Sequence, residues 1–212
     1  MNDYDFIVVG AGSAGSVLAA RLSESGRYTV LVLEAGGSDQ NLWIQMPIGY
    51  GKVYYDERVN WKYLTEPIPG LGGKRSYWPR GKVLGGSSSL NGMIYIRGDQ
   101  EDYNSWANLG CTGWGWDDML PYFLKLENFE GGSSELHGGG GPLSVNKIRH
   151  HNPTNDKMIA AFEEYGVPRN NDFNGVKQEG TGLYHATIKD GKRHSTAQAY
   201  LHPVKQRKNL TV

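Results

Sequence analysis

Two short apolar runs near the start of the chain predict the first elements of its fold. Phe6–Val9 and Tyr28–Leu33 are rich in aliphatic and β-branched residues, which is typical of buried strands. Between them, the residues from Ser16 to Leu22 have a pattern that favours a helix. Strand, helix and strand in this order predict a βαβ unit, and therefore an α/β fold built on a parallel sheet.

Three glycines lie where the first strand must turn directly into the helix. Gly10 permits a tight turn, Gly12 lets the backbone approach a pyrophosphate, and Gly15 lets the helix and strand pack closely. The helix N-terminus would then face the phosphates with free N–H groups and a partial positive charge. This pattern predicts a dinucleotide-binding turn; the alternative is a plain βαβ turn.

An acidic residue, Glu34, follows the second strand, about twenty residues after the glycines, where dinucleotide-binding folds place an acid. Its carboxylate is suited to accept hydrogen bonds from the ribose hydroxyls of an adenosine. Because a 2′-phosphate would meet this carboxylate instead of an arginine, NADP is disfavoured. In a plain βαβ turn, Glu34 would simply face solvent.

The segments that follow are less regular. Aromatic residues are frequent between residues 43 and 63, and we expect this stretch either to cover a site or to fill a peripheral core. The glycine-rich residues 131–142 predict a hinge or crossing between lobes, with a surface loop as the alternative. Residues 155–165 have the spacing of an amphipathic helix, and residues 209–212 begin another strand.

A second segment rich in small residues, Gly81–Asn91, lies in a basic setting. Successive glycine and serine N–H groups can bind an anion, while the serine hydroxyls and Asn91 can donate to a flat heterocycle lying on the main chain. The apolar residues Leu90, Met93 and Ile94 favour a buried position over the alternative, a flexible linker.

Composition narrows the functional classes. Lys plus Arg and Asp plus Glu each number 22 in the 212 residues, so no net field favours nucleic acid or an anionic membrane. The single cysteine, Cys111, excludes an internal disulfide. No apolar run reaches the roughly eighteen residues of a membrane span, and no signal-peptide pattern precedes the first strand. We therefore expect a cytoplasmic protein that neither spans a membrane nor binds nucleic acid.

A metal site at the adjacent residues His150 and His151 is disfavoured. Neighbouring residues of an extended chain point in opposite directions, and no set of cysteine or carboxylate ligands surrounds the pair. We expect a surface pair and no bound metal.

The second segment resembles the first signature of the glucose–methanol–choline oxidoreductases, enzymes that oxidise alcohols with FAD. The glycines at positions 10, 12 and 15 and the sequence Glu34-Ala-Gly36 agree with this family, and further matches run from residue 102 to Pro203. The resemblance covers essentially the whole chain and is strongest to the bacterial choline dehydrogenase-like branch. It implies a doubly wound, Rossmann-like FAD-binding domain, residues 1–140, and the beginning of an interleaved substrate domain, residues 141–212.

The resemblance also implies which residues bind FAD. The pyrophosphate would be held by Gly10, Gly12, Ser13, Ala14 and Gly15, and the adenosine ribose by Glu34. Val83 and Gly86 would line the flavin-side loop, and Asn91, Gly92, Met93 and Ile94 would approach the isoalloxazine ring. Some relatives attach FAD through a histidine at the position of Leu90. Because leucine has no nucleophile, we expect noncovalent FAD.

The function implied is oxidation of a small alcohol, choline-like or another primary alcohol, by hydride transfer to flavin N5, followed by electron transfer to an acceptor. The family's catalytic histidine lies near its C-terminus and its second signature lies midway. Neither is found here, so we assign no catalytic residue and expect the N-terminal part of an enzyme, inactive on its own. The alternatives are an inactive FAD- or adenine-nucleotide-binding module, an NAD-dependent dehydrogenase, which the second segment disfavours, and a cyanohydrin lyase on the same scaffold.

Overall fold

The computed structural model describes residues 3–150 and 152–212, which form two compact units. The first unit contains the described residues up to Met93 together with Asp190–Val212, and the second is Ile94–Lys189. Neither limit of the second unit coincides with the predicted domain boundary at residue 140. The assignment of cofactor and substrate domains at that boundary stays a prediction.

The helices and strands are short. The strands are β1 (Phe6–Val9), β2 (Val30–Leu33), β3 (Tyr63–Leu64), β4 (Tyr77–Trp78), β5 (Ile94–Tyr95), β6 (Glu127–Phe129), β7 (Leu143–Lys147), β8 (His185–Ala186), β9 (Ile188–Lys189), β10 (Lys192–Arg193) and β11 (Leu210–Thr211). The α-helices are α1 (Ser13–Leu22), α2 (Leu42–Gln45), α3 (Tyr50–Val53), α4 (Gln100–Asn108), α5 (Trp116–Leu126) and α6 (Pro153–Glu164).

A parallel sheet in the order β1-β2-β11 organises the first unit. Phe6 and Leu210 both pair with Val30, one on each side of β2. The buried faces of these strands pack against α1 and Leu201 to form the core. The predicted strand, helix and strand are therefore confirmed, as are the α/β class and the strand near residue 210.

Close packing of α1 on β1 depends on Gly15. A methyl group at this position would overlap the carbonyl oxygen of Gly10 and lie 3.2 Å from Cγ1 of Val8. The hydroxyl of Ser16, also buried, donates to the carbonyl of Ala11 at 3.0 Å. The absence of a side chain at Gly15 thus lets the helix begin directly against the end of β1, as predicted.

The second unit contains a mixed sheet in the order β5-β8-β7-β6, in which β6 and β7 run parallel and the other neighbours run antiparallel. The glycine-rich residues 131–142 lie within this unit. A methyl group at Gly138 or Gly141 would overlap backbone atoms of Leu124 or Leu126. This segment is therefore a loop packed on its own unit, and the interpretation as a crossing between units is wrong.

Within residues 3–150 and 152–212, no helix is both long enough and apolar enough to cross a membrane. Cys111 is exposed and has a free thiol. His151 lies outside the described residues, so the interpretation of His150 and His151 as a surface pair stays a prediction.

The different packing of two helical glycines predicts opposite effects of alanine. Gly15→Ala forces a methyl group against the Gly10 carbonyl and should lower the free energy of unfolding by about 1–3 kcal/mol, the usual cost of overpacking. Gly51→Ala in α3 is the matched control, because it meets open space and should be neutral or raise stability by up to about 1 kcal/mol. Denaturant unfolding of both variants measures the difference. Equal stabilities would contradict the packing role of Gly15.

Candidate functional site

The two glycine-rich segments meet in the first unit. The N–H of Gly85 donates to the carbonyl of Ala11 at 2.8 Å. A methyl group at Gly86 would lie 2.7 Å from Cα of Gly12, so the two backbones touch with no side chain between them. Gly85 and Gly86 have φ of 86° and 53°, a left-handed turn that glycine adopts without strain. Segments more than seventy residues apart in sequence thus form one surface.

Glu34 connects the ends of the first two strands. Its carboxylate accepts hydrogen bonds from the N–H groups of Ala11 and Gly36, each at 2.9 Å. Parallel pairing of β1 with β2 places Val9 beside Leu33, which brings the residues after both strands to the same edge of the sheet. Each carboxylate oxygen has further acceptor capacity beyond its backbone partner. Glu34 therefore fixes the turns and can still bind a ligand.

A cavity of about 490 Å³ opens at this edge, and every residue that lines it belongs to the first unit. Five of the predicted cofactor residues line it: Gly10, Gly12, Ser13, Glu34 and Gly86. Its size is within the usual range for small-molecule sites. The structure thus brings the predicted acid, the first turn and the second segment together around one space.

The other predicted cofactor residues lie outside this lining. Gly15 and Val83 are buried, and Ala14 is exposed on the first turn of α1. Asn91 and Gly92 are exposed, Met93 is buried with φ of 62°, and Ile94 is exposed at the start of the second unit. The carbonyl oxygen of the Asn91 side chain accepts from the Met93 N–H at 3.0 Å. Whether these residues contact a cofactor stays a prediction.

The sequence pattern did not indicate the cationic residue of the lining, Arg80. Its guanidinium lies 5.0 Å from the ring of Trp78, and the side chain is exposed. Trp61 and Tyr63 also line the cavity, with their rings stacked at 5.9 Å. The aromatic content of residues 43–63 pointed to a cover in general. No local signal distinguished Trp61 and Tyr63 from neighbours such as Val53 and Val59, which fill a core.

Gly12 is a glycine that the protein's own packing does not explain. Its φ of −73° is accessible to any residue, and a methyl group there would meet nothing closer than Cα of Gly86 at 3.9 Å. Gly36 and Gly81, in contrast, have no room for a methyl group against the neighbouring backbone. The space beside Gly12 opens into the cavity. This arrangement suits a ligand that lies directly on the main chain.

The second unit contains a buried network of charged side chains. Arg97 donates from Nη2 to Glu127 at 2.7 Å, and both side chains are almost wholly buried. The ring of His137 lies between Glu127 at 3.1 Å and Asp172 at 2.8 Å. The charge of Arg97 thus has a partner of opposite sign, which is how proteins stabilise buried ions. No metal-binding group of three or more ligands occurs among the described residues.

Burial affects the pKa values in this network. Burial raises the pKa of Asp172, but the hydrogen bonds from His137 and from the Asn174 N–H, together with the electrostatic effects of His137 and His185, leave the pKa below its ordinary value. Burial lowers the pKa of His185, and the nearby charge of Asp172 opposes this only in part. Both ring nitrogens of His185 are buried without a hydrogen-bond partner. The folded protein therefore favours neutral His185 and ionised Asp172.

The sequence of this chain matches a known protein family. The family model described as GMC oxidoreductase matches residues 4–212. An oxygen-dependent choline dehydrogenase from Rhizobium etli (strain CIAT 652) is 50% identical over 206 residues, which are 97% of this chain and 38% of the relative. The chain thus spans less than half the length of the curated relatives that it matches.

Two solved structures are similar to this chain in fold. The crystal structure of pyridoxine 4-oxidase from Mesorbium loti matches 99% of this chain and 42% of its own, with a TM-score of 0.93 and 37% identity. An FAD-dependent oxidoreductase from Chaetomium thermophilum matches 99% of this chain and 38% of its own, with a TM-score of 0.89 and 30% identity. The α/β fold is therefore shared with part of each of these two enzymes.

The bridging role of Glu34 predicts a loss of stability in Glu34→Gln. The amide keeps one acceptor oxygen but turns an NH₂ group toward a backbone N–H, so the variant should lose about 1–3 kcal/mol of unfolding free energy. Glu66→Gln is the control, because Glu66 is exposed and contacts Arg75 at 3.5 Å only. Urea unfolding compares the two. A Glu34→Gln variant as stable as the control would refute the bridge.

The lowered pKa of His185 predicts loss of stability on acidification. The unfolded state takes up a proton as the pH falls through 6.5, the ordinary value, while the folded state resists until its lower pKa is reached. The contribution is thus present above pH 6.5 and declines below it. His185→Phe should show a smaller fall in Tm between pH 7 and pH 5 than the wild type. His150→Gln, at an exposed position, should retain the full fall. An unchanged pH dependence in His185→Phe would contradict the assignment.

Proposed function

Because the chain belongs to the GMC oxidoreductase family, we propose that it forms the FAD-binding portion of an enzyme that oxidises a small alcohol. The choline dehydrogenase relative at 50% identity favours choline or a similar primary alcohol as the substrate class. The electrons would pass from the alcohol through the flavin to an acceptor. As the chain spans 38% of that relative, the activity belongs to the proposed whole enzyme.

The observation that carries the proposal is the open main chain at Gly12. The fold tolerates a side chain at this position, yet the space that the side chain would fill adjoins the cavity between the two glycine-rich turns. A diphosphate lying on the backbone at the start of α1 would occupy it and receive N–H groups from the helix N-terminus. The residues present therefore fit FAD.

The proposed cofactor contacts extend from the pyrophosphate toward the adenosine ribose on one side and toward the isoalloxazine ring on the other. Gly10, Gly12, Ser13 and Ala14 would hold the pyrophosphate, with Gly15 acting through its close packing beneath them. Arg80, a cation at the cavity wall, supplies charge opposite to the diphosphate. Glu34 would accept hydrogen bonds from the adenosine ribose. Val83 and Gly86 would support the flavin-side loop, and Asn91, Gly92, Met93 and Ile94 would face the isoalloxazine ring.

Attachment of FAD would be noncovalent. Leu90, at the position of the histidine that some relatives link to FAD, has an apolar side chain that is 2% exposed and packs with Val83 and Ile44. It offers no nucleophile to the flavin. Binding would therefore depend on hydrogen bonds, charge and shape alone.

When bound, FAD would accept the hydride that leaves the alcohol carbon. This chain's residues would hold the cofactor and present its ring system to the substrate, a positioning role that contributes much of enzymatic rate enhancement. The proton of the alcohol oxygen must go to a base, a step worth about 10²–10⁴ in rate. We assign that base to no residue of the 212. In this proposal the chain binds the cofactor, and another part of the enzyme activates the substrate.

Titration with FAD tests the proposal. The purified protein should bind FAD with quenched flavin fluorescence and a raised Tm, because a ligand that binds the folded state stabilises it. Gly12→Ala should keep the stability of the apoprotein but bind FAD at least about tenfold more weakly, a loss of about 1.4 kcal/mol. Gly51→Ala is the matched control, since its methyl group also meets open space but lies away from the cavity.

The outcomes separate the alternatives. A Tm raised by NAD and not by FAD would overturn the flavin assignment. Release of all flavin on acid precipitation supports noncovalent binding, whereas flavin that stays with the precipitate contradicts it. Anaerobic bleaching of bound flavin by choline would show that a base does lie within this chain.

A further inference from the structure

Arg193 is a buried arginine that holds the loop after the second glycine-rich turn. It lies on β10 and is 2% exposed. Its Nη1 donates to the carbonyl of Asn91 at 2.7 Å, to the Asn91 side-chain oxygen at 3.0 Å and to the carbonyl of Ser88 at 3.2 Å. Its Nε donates to the carbonyl of Ile44 at 2.9 Å. One guanidinium thus ties α2 to the loop Ser88–Met93.

The positive charge of Arg193 has no carboxylate partner among residues 3–150 and 152–212. Its recorded partners are neutral oxygens, and its Nη2 is buried with no hydrogen-bond partner at all. Burial lowers the pKa of Arg193 to about 10, so the group is still charged at neutral pH. Arg97 of the second unit is equally buried but pairs with Glu127 at 2.7 Å. A buried charge without an ionic partner is costly.

The same guanidinium orients the side chain of Asn91. Its amide oxygen faces inward, where it accepts from both Arg193 and the N–H of Met93. The amide NH₂ is therefore left on the outer side of an exposed residue. Met93 has φ of 62°, a left-handed conformation that is strained for a non-glycine residue and persists only where its surroundings hold it. Asn91, fixed by Arg193, provides that restraint.

We propose that Arg193 is a positioning residue for the flavin: it presents the Asn91 amide as a hydrogen-bond donor and places an uncompensated positive charge beneath the isoalloxazine-facing loop. This inference rests on the proposed function. Transfer of a hydride brings a negative charge to the ring system, and a fixed cation in a poorly hydrated site favours the charged product over the neutral reactant. Arg193 thus raises the reduction potential of the bound flavin.

Two substitutions separate the geometry from the charge. Arg193→Lys keeps the cation but loses the planar fork, so it should bind FAD at least about tenfold more weakly, a change of about 1.4 kcal/mol, with a potential near that of the wild type. Arg193→Met loses both and should combine weak binding with a lower potential. Arg207→Met is the matched control. Arg207 also donates to backbone, at Ala20, and to Ser23, but at the far end of α1.

The readouts are the FAD dissociation constant, the flavin absorbance spectrum and the midpoint potential against reference dyes. Wild-type affinity, spectrum and potential in both Arg193 variants, or values equal to those of Arg207→Met, would overturn this inference and leave the proposed function intact. If Arg193→Met cannot be recovered folded, Arg193→Lys decides alone, and wild-type affinity and spectrum there refute the positioning role. A wild-type protein that binds no FAD would overturn both proposals.

Discussion

Direct contact between two glycine backbones, at Gly12 and Gly86, is the constraint on which the candidate site depends. Any side chain at Gly86 would push the second glycine-rich turn away from the first. The hydrogen bond from the Gly85 N–H to the Ala11 carbonyl then fixes the distance between the turns. The N–H groups of these two turns are directed by the fold, so they require no side-chain ordering when a ligand binds.

The glycines of the site are required for different physical reasons. Gly15, Gly36 and Gly81 are required by packing, since a methyl group at each would overlap neighbouring backbone. Gly10 is required by its conformation, with φ of 91°. Gly12 is required by neither, and its open face adjoins the cavity. The fold itself therefore requires Gly10, Gly15, Gly36 and Gly81, whereas Gly12 is the glycine that the proposed ligand would need.

The two units differ in the partners that they provide for a buried arginine. Arg97 belongs to a network with Glu127, His137 and Asp172, and its charge is neutralised by Glu127 at 2.7 Å. Arg193 donates to neutral carbonyl oxygens and pairs with no carboxylate among the described residues, so its charge is solvated by dipoles and has no ionic partner. Dipoles orient a cation without cancelling its field. The first arrangement stabilises a fold, and the second leaves a charge available to a cofactor.

The sequence by itself determined the βαβ unit, the roles of Gly10 and Gly15 in its turn, and the acid at position 34, because each follows from periodicity or spacing within about thirty residues. The tertiary structure decided which residues surround the cavity. Arg80, Trp61 and Tyr63 come to it through the pairing of β3 with β4, and Arg193 reaches Asn91 from 102 residues away. It also decided that residues 131–142 pack within one unit. Such contacts depend on how distant segments pack, so local sequence patterns do not predict them.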